Sequence, residues 1–472
     1  MKKKRFQEVL LIVLVLTSIA CSICILTDTT KPEYYYLLFL VPLTFGMLQL
    51  CSYKLYNIIP DNIAVIIIIV LFFCKMVISP FLMYIGNYES TITINLQYNT
   101  DKACLLVCYE ALAVFIGLDM LKKMQYGHNV KEVEYINKKG KKLYILIVIA
   151  VIIMLIICYK RTPQLSMMYR TVFNMNDQFF TNQEDSYIID QYGNTFINKL
   201  SLVVGMYLMR AAILIVPAVM IILLSQIKKR YIIIRIISYL LCIIPIFFIG
   251  GAIARSLIYI VCLILLRNYL FDIKNSNKKI FIIGGLCIIA ILFWWIFNAQ
   301  NHTYDSMAGY LSGRFSSYFS GVNIVSGIFN LPNEVKYRIR YFLYDFTTTL
   351  PFGNTIFATK NITIQPFFNL YNNSYGQIPP TIGMGYYYFG PILAPIYSVI
   401  FSYIAFRNGE KIRLKNIRNP FQYIRLLYAV FVFSMGMTMY NIEITMTNTF
   451  CLIIPMRIME RLAYGKENKY DT

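Results

Sequence analysis

Charge is scarce in this chain of 472 residues: Asp, Glu, Lys and Arg together make up 14% of it, against about 25% in an ordinary soluble domain. That scarcity, beside 58% hydrophobic residues, excludes a soluble globular protein. Also missing are a GxGxxG turn, a P-loop, an HExxH pair and a GxSxG elbow, so nucleotide-binding, zinc-protease and serine-hydrolase chemistries have no foothold. Cys21 and Cys24, and Cys104 and Cys108, have suggestive spacings, yet they lie inside apolar runs with no histidine or acid beside them, and no metal site is read there.

What is present is a succession of apolar runs of the length that crosses a bilayer as helix. Spans are read at about 9–26, 34–51, 62–85, 103–118, 143–159, 200–225, 232–249, 257–271, 280–297, 386–406, 422–440 and 444–460. The first follows Lys2, Lys3, Lys4 and Arg5; it is longer than a signal-peptide core and ends without a small-residue cleavage site, which favours a retained span. Twelve spans place both termini on one side. Cytoplasmic loops attract lysine and arginine, and the loop holding Lys122, Lys123, Lys131, Lys138, Lys139, Lys141 and Lys142 marks that side as cytoplasmic. The net charge of +21 therefore follows topology and implies no nucleic-acid partner. None of the 11 cysteines lies within a long external loop, so no disulfide framework is expected.

The chain thus divides into a bundle of spans over 1–297 with an external loop at 160–199, a large external loop at 298–385, and the last three spans with a cytoplasmic tail at 386–472. A loop that long is usually functional. Within it, Phe315, Tyr318, Phe319, Val322, Val325 and Phe329 keep a helical apolar stripe with Ser316, Ser320, Asn323 and Ser326 opposite. The pattern fits a helix in the membrane interface or one packed over the bundle. Further on, helical spacing sets Arg338, Tyr341 and Asp345 on one face. Gly and Pro shape the stretch from Ser374 to Gly385, and Tyr386, Tyr387 and Tyr388 follow at the mouth of a span. Tyrosines such as Tyr341, Tyr375 and Tyr386 suit stacking on sugar faces, and equally an aromatic belt.

Ionisable residues inside spans are costly and count as functional candidates. Lys75 and Glu110 lie at depths differing by roughly 5 Å in neighbouring antiparallel spans, so an ion pair is expected, structural in role. Arg210 sits near mid-depth with no evident partner in the sequence. Arg255, in Gly250-Gly251-Ala252-Ile253-Ala254-Arg255-Ser256, occupies an external turn where backbone donors and a guanidinium can approach a phosphate together.

The dozen spans, the Gly-Gly-x-x-x-Arg255-Ser turn, the large late external loop and the Gly376–Gly390 stretch resemble those of the Wzy-type O-antigen and capsular polysaccharide polymerases. The resemblance implies a polytopic all-α glycosyltransferase of the GT-C kind, needing no metal or cofactor, on the outer face of the cytoplasmic membrane. It would join undecaprenyl-pyrophosphate-linked oligosaccharide repeat units, releasing undecaprenyl pyrophosphate, among membrane lipids and in company with a flippase and a chain-length regulator. An O-antigen ligase or a lipid-linked oligosaccharide flippase or other transporter is the alternative reading.

Such a reaction needs positive charge at the leaving pyrophosphate. Arg255, Arg314, Arg338 and Arg340 are the external candidates, Arg255 first. It also needs a general base within reach of the acceptor hydroxyl. Asp345 and His302 lead, followed by Glu334, Asp305, Asp28 and Glu33, and a cation beside Asp345 would weaken it as a base.

Overall fold

The computed structural model describes residues 2–59, 61–88, 99–123, 138–161, 196–227, 232–245, 253–271, 273, 306–350, 353–357, 363–374, 376–414, 417 and 419–464. Among them every regular element is helical. Helices α1 (Lys2–Thr27), α2 (Leu40–Cys51), α3 (Ile63–Ile85) and α4 (Thr100–Lys123) precede α5 (Lys138–Arg161), α6 (Phe196–Ser225), α7 (Ile232–Ile243) and α8 (Ile253–Leu270). The segment expected to form the large late loop folds as α9 (Met307–Phe319), α10 (Val322–Ser326), α11 (Val335–Thr349), α12 (Ile364–Tyr371) and α13 (Thr381–Phe389). The chain then closes with α14 (Ile396–Arg413), α15 (Pro420–Met435) and α16 (Ile442–Leu462).

Six of these helices are long and apolar enough to cross a membrane, and Tyr144–Cys158, Ile232–Ile243 and Pro420–Met435 are shorter apolar helices. Their outer faces stay bare: Leu146 is 65% exposed and Ile232 71%. Apolar side chains in such numbers on the outside of a folded chain require lipid around them, so this is a membrane protein. The span expected at 280–297 and most of the loop expected at 160–199 lie outside the described residues.

Proline explains two local distortions. A proline lacks the N–H that a helix needs and its ring crowds the carbonyl four residues back. Ahead of Pro80 the chain widens into a π-turn at Cys74–Ile78, and ahead of Pro455 into another at Thr449–Ile453. The first turn carries Lys75, which is fully buried and pairs with the equally buried Glu110 of α4 at 2.5 Å. Ser398 of α14 donates to the other oxygen of that carboxylate. The ion pair foreseen from depth is present, and it ties α3, α4 and α14 together.

Two apolar cores result. One gathers α1 to α4 with α10, α12, α13 and α14, and the other gathers α5 to α8 with α16. Helix α15 belongs to both, through Ala429, Val430 and Phe433 on one side and Phe421, Ile424 and Tyr428 on the other. It is buried almost all round, as a helix apolar on every face must be.

The helices of this late segment cap the first core. The expected stripe over 315–329 is not one helix: Ser320 takes a left-handed conformation (φ 52°) that ends α9, and α10 starts after Gly321. Ser316, Asn323 and Ser326 are buried as deeply as Val322 and Val325, so both faces are covered by protein and the segment packs over the bundle. The tenth span was expected to begin at 386, but Tyr386 to Phe389 belong to α13, and Gly390 (φ 83°) breaks the chain before α14 begins at Ile396. A positive φ there suits glycine alone.

Candidate functional site

The link between α15 and α16, residues 436–441, is the hinge of the candidate site. It is pinned from outside. Thr381, at the start of α13, donates its hydroxyl to the Gly436 carbonyl at 2.6 Å and lies 3.2 Å from that of Tyr440. Ser320 donates to the Thr438 carbonyl. Asn441 caps α16, its side chain accepting from the Ile444 amide at 2.8 Å.

On one side of this link stand two carboxyl groups. Asp345 of α11 is 4% exposed. One of its oxygens accepts from the Ile364 amide at 2.9 Å, the other from the Tyr388 hydroxyl, and it is further hydrogen-bonded to Glu443 in the first turn of α16. Burial pushes the Asp345 carboxyl up to about 6, against the opposing pull of those hydrogen bonds. Two carboxyl groups in mutual hydrogen bond hold one proton between them. Glu443 Oε1 is buried and accepts from no donor among the described residues.

On the other side stand two guanidinium groups. Arg255, in the first turn of α8, and Arg210 of α6 both act electrostatically on Tyr259, Tyr440 and Cys451. The Tyr259 and Tyr428 rings lie 5.7 Å apart, and Tyr428 donates to Asn448 at 2.9 Å. Tyr207 completes the group beside Arg210. The π-turn before Pro455 lies here and includes Cys451. Tyr440 faces the arginines and Glu443 faces Asp345. Three positions apart in sequence, their Cα atoms are at most about 11 Å apart.

Of the sequence candidates, the structure thus unites Arg255 with Arg210 and places Asp345 across the link. The other arginines make their contacts elsewhere. Arg314 donates to Tyr310 at 3.2 Å on its own helix, Arg338 donates to Asn333, and the exposed Arg340 lies over the Tyr344 ring at 5.5 Å. A cation was expected to weaken Asp345 as a base; instead burial raises it, and the hydrogen bonds from Tyr388, the Ile364 amide and Glu443 only partly oppose that rise. Tyr341 is stacked on Phe367 at 4.3 Å and Tyr386 packs on Phe329 at 4.9 Å. His302, Asp305, Tyr375 and the Gly250–Gly251 turn lie outside the described residues.

Of the remaining acids, Glu334 pairs with Lys336 at the surface and Glu33 is exposed. Asp28 accepts from Tyr88 at 2.6 Å, which holds it below its usual range. No group of three or more His, Cys, Asp and Glu side chains among the described residues is arranged to hold a metal.

Sequence reasoning missed Glu443. An acid in the first turn of a helix suits the helix dipole and draws no attention, and its partner lies far back in the chain. Compared with protein-family models, curated proteins and solved structures, the chain matches none.

Proposed function

We propose that this protein is a glycosyltransferase of the GT-C kind with about twelve spans, joining polyprenyl-pyrophosphate-linked oligosaccharide repeat units at the outer face of the cytoplasmic membrane. The observation that carries the reading is the pairing of Arg210 with Arg255 among tyrosines, one link away from the Asp345–Glu443 pair. A positive cluster beside a proton-accepting pair is what transfer from a pyrophosphate donor requires.

In this reading Arg210 and Arg255 hold the donor pyrophosphate, and their charge stabilises it as the sugar–oxygen bond breaks. Tyr259 and Tyr440 supply hydroxyl donors in a site of low polarity, where each charge counts for more than in water. The acceptor hydroxyl attacks the anomeric carbon and passes its proton to the Glu443 carboxyl group. Glu443 in turn releases its own proton to Asp345. The pair gains one proton, polyprenyl pyrophosphate departs with the electron pair of the broken bond, and the new glycosidic bond forms.

The test is glycan length in cells carrying Arg255→Ala in place of the native copy, with membrane abundance measured alongside. The expected result is loss of the ladder of repeats, with single repeats still reaching the surface. Long lipid-linked chains that accumulate without transfer would make the protein a ligase. Repeats that fail to reach the outer face would make it a flippase.

A further inference from the structure

The opposite end of the same helices carries a second concentration of charge. There the C-terminal ends of α14 and α16 meet the start of α15. The acids of this end are taken: Glu410 by Arg413 at 2.8 Å and Glu460 by Arg425 at 2.9 Å. Arg407, Lys411 and Arg457 remain as positive charge in excess of the acids, and all three are exposed. Lys411 lies within electrostatic reach of Arg407, Arg425 and Arg457, with Glu460 the one opposing charge among them.

Three cations, two on α14 and one on α16, repel one another, so their convergence has a cost unless an anion joins them. The apolar surface around its stem and those neighbouring cations hold the exposed Lys411 below its ordinary range. The cations also end two apolar stripes. On α14, Ile400 and Tyr403 precede Arg407 and Lys411 at helical spacing, and the Arg407 guanidinium lies 5.9 Å from the Tyr403 ring centre. On α16, Ile454 and Ile458 flank Arg457, and Ile458 is 53% exposed. A phosphate with acyl chains attached would meet charge and apolar surface together, whereas a free anion would use only the first.

We propose that Arg407, Lys411 and Arg457 form a binding site for the phosphate headgroup of an anionic phospholipid, whose chains lie along Ile400, Tyr403, Ile454 and Ile458. The inference needs only that the protein is embedded in a membrane and stands apart from the proposed transfer reaction.

The full-length protein, purified in detergent and stripped of lipid, is titrated with phosphatidylglycerol, phosphatidylcholine or inorganic phosphate, and bound lipid is counted by native mass spectrometry. Phosphatidylglycerol is expected to be retained selectively. Replacing all three cations (Arg407→Gln, Lys411→Gln, Arg457→Gln) is expected to weaken retention about a hundredfold, on the scale of tenfold or less per cation. The charge-keeping set Arg407→Lys, Lys411→Arg, Arg457→Lys retains it, and Lys102→Gln with Lys336→Gln, at the other end, has no effect. Should the neutral triple variant not fold, Lys411→Gln alone is measured, with about fivefold weakening expected. Equal retention of phosphatidylcholine, equal protection by inorganic phosphate, or an unchanged neutral variant would overturn the proposal.

Discussion

The Asp345 carboxyl, raised to about 6 by burial, makes the protein's stability depend on pH in a direction that can be worked out. In the unfolded chain this carboxyl loses its proton near 3.8. Between that value and about 6 the folded state keeps a proton that the unfolded state has released, so the Asp345 contribution to stability falls as pH rises through this window and is level above it. Thermal melts in detergent at pH 4 to 8 should show that fall, and Asp345→Asn should flatten it. An unchanged slope in the variant would mean that other groups set it. The same residue carries a lesson about reading. Its place beside Arg338 was visible as helical spacing, but its true partners, Glu443, Tyr388 and the Ile364 amide, come from three distant parts of the chain. No local pattern joins them, and so the sequence drew attention to Asp345 with the wrong electrostatics.

At the scale of elements, the six long apolar helices were legible as candidate spans because length and hydropathy are set by the bilayer itself. The elements outside it were less so. Tyr386 to Phe389 read as the start of a span because they are apolar, yet Gly390 and the close approach of α13 to the following turn separate them from α14. That approach depends on glycine. A Cβ on Gly385 would lie 2.0 Å from the Ala394 carbonyl oxygen, a backbone atom that cannot swing aside. Gly385→Ala is therefore expected to cost about 1–3 kcal/mol or more, enough to lower the melting temperature by several degrees. Gly117, inside α4, is the matched control: its Cβ would meet only Val399 at 4.0 Å, and alanine there should be neutral or stabilising by up to about 1 kcal/mol. Equal melting of the two variants would contradict the packing described for α13. The buried Lys75–Glu110 pair shows the opposite case, in which helix geometry alone was enough to foresee a contact.

Over the whole molecule, two apolar cores share α15, and the candidate site lies where the link that follows α15 separates two guanidinium groups from two carboxyl groups. Arg255 and Arg210 were each conspicuous in the sequence, one in a glycine-rich stretch and one at mid-depth in a span. Their meeting required the packing of α6 and α8 against α15 and α16. The central claim is that the arginine cluster and the carboxyl pair form one catalytic site. Residues acting in one chemical step lose activity together, so removing the second after the first costs little more. The decisive measurement is release of polyprenyl pyrophosphate by the purified protein, given lipid-linked repeat units, for Arg255→Ala, Glu443→Gln and the double variant. If the site is one, the double variant is no slower than about the slower single variant. If the losses multiply, the two clusters act independently and the account is contradicted.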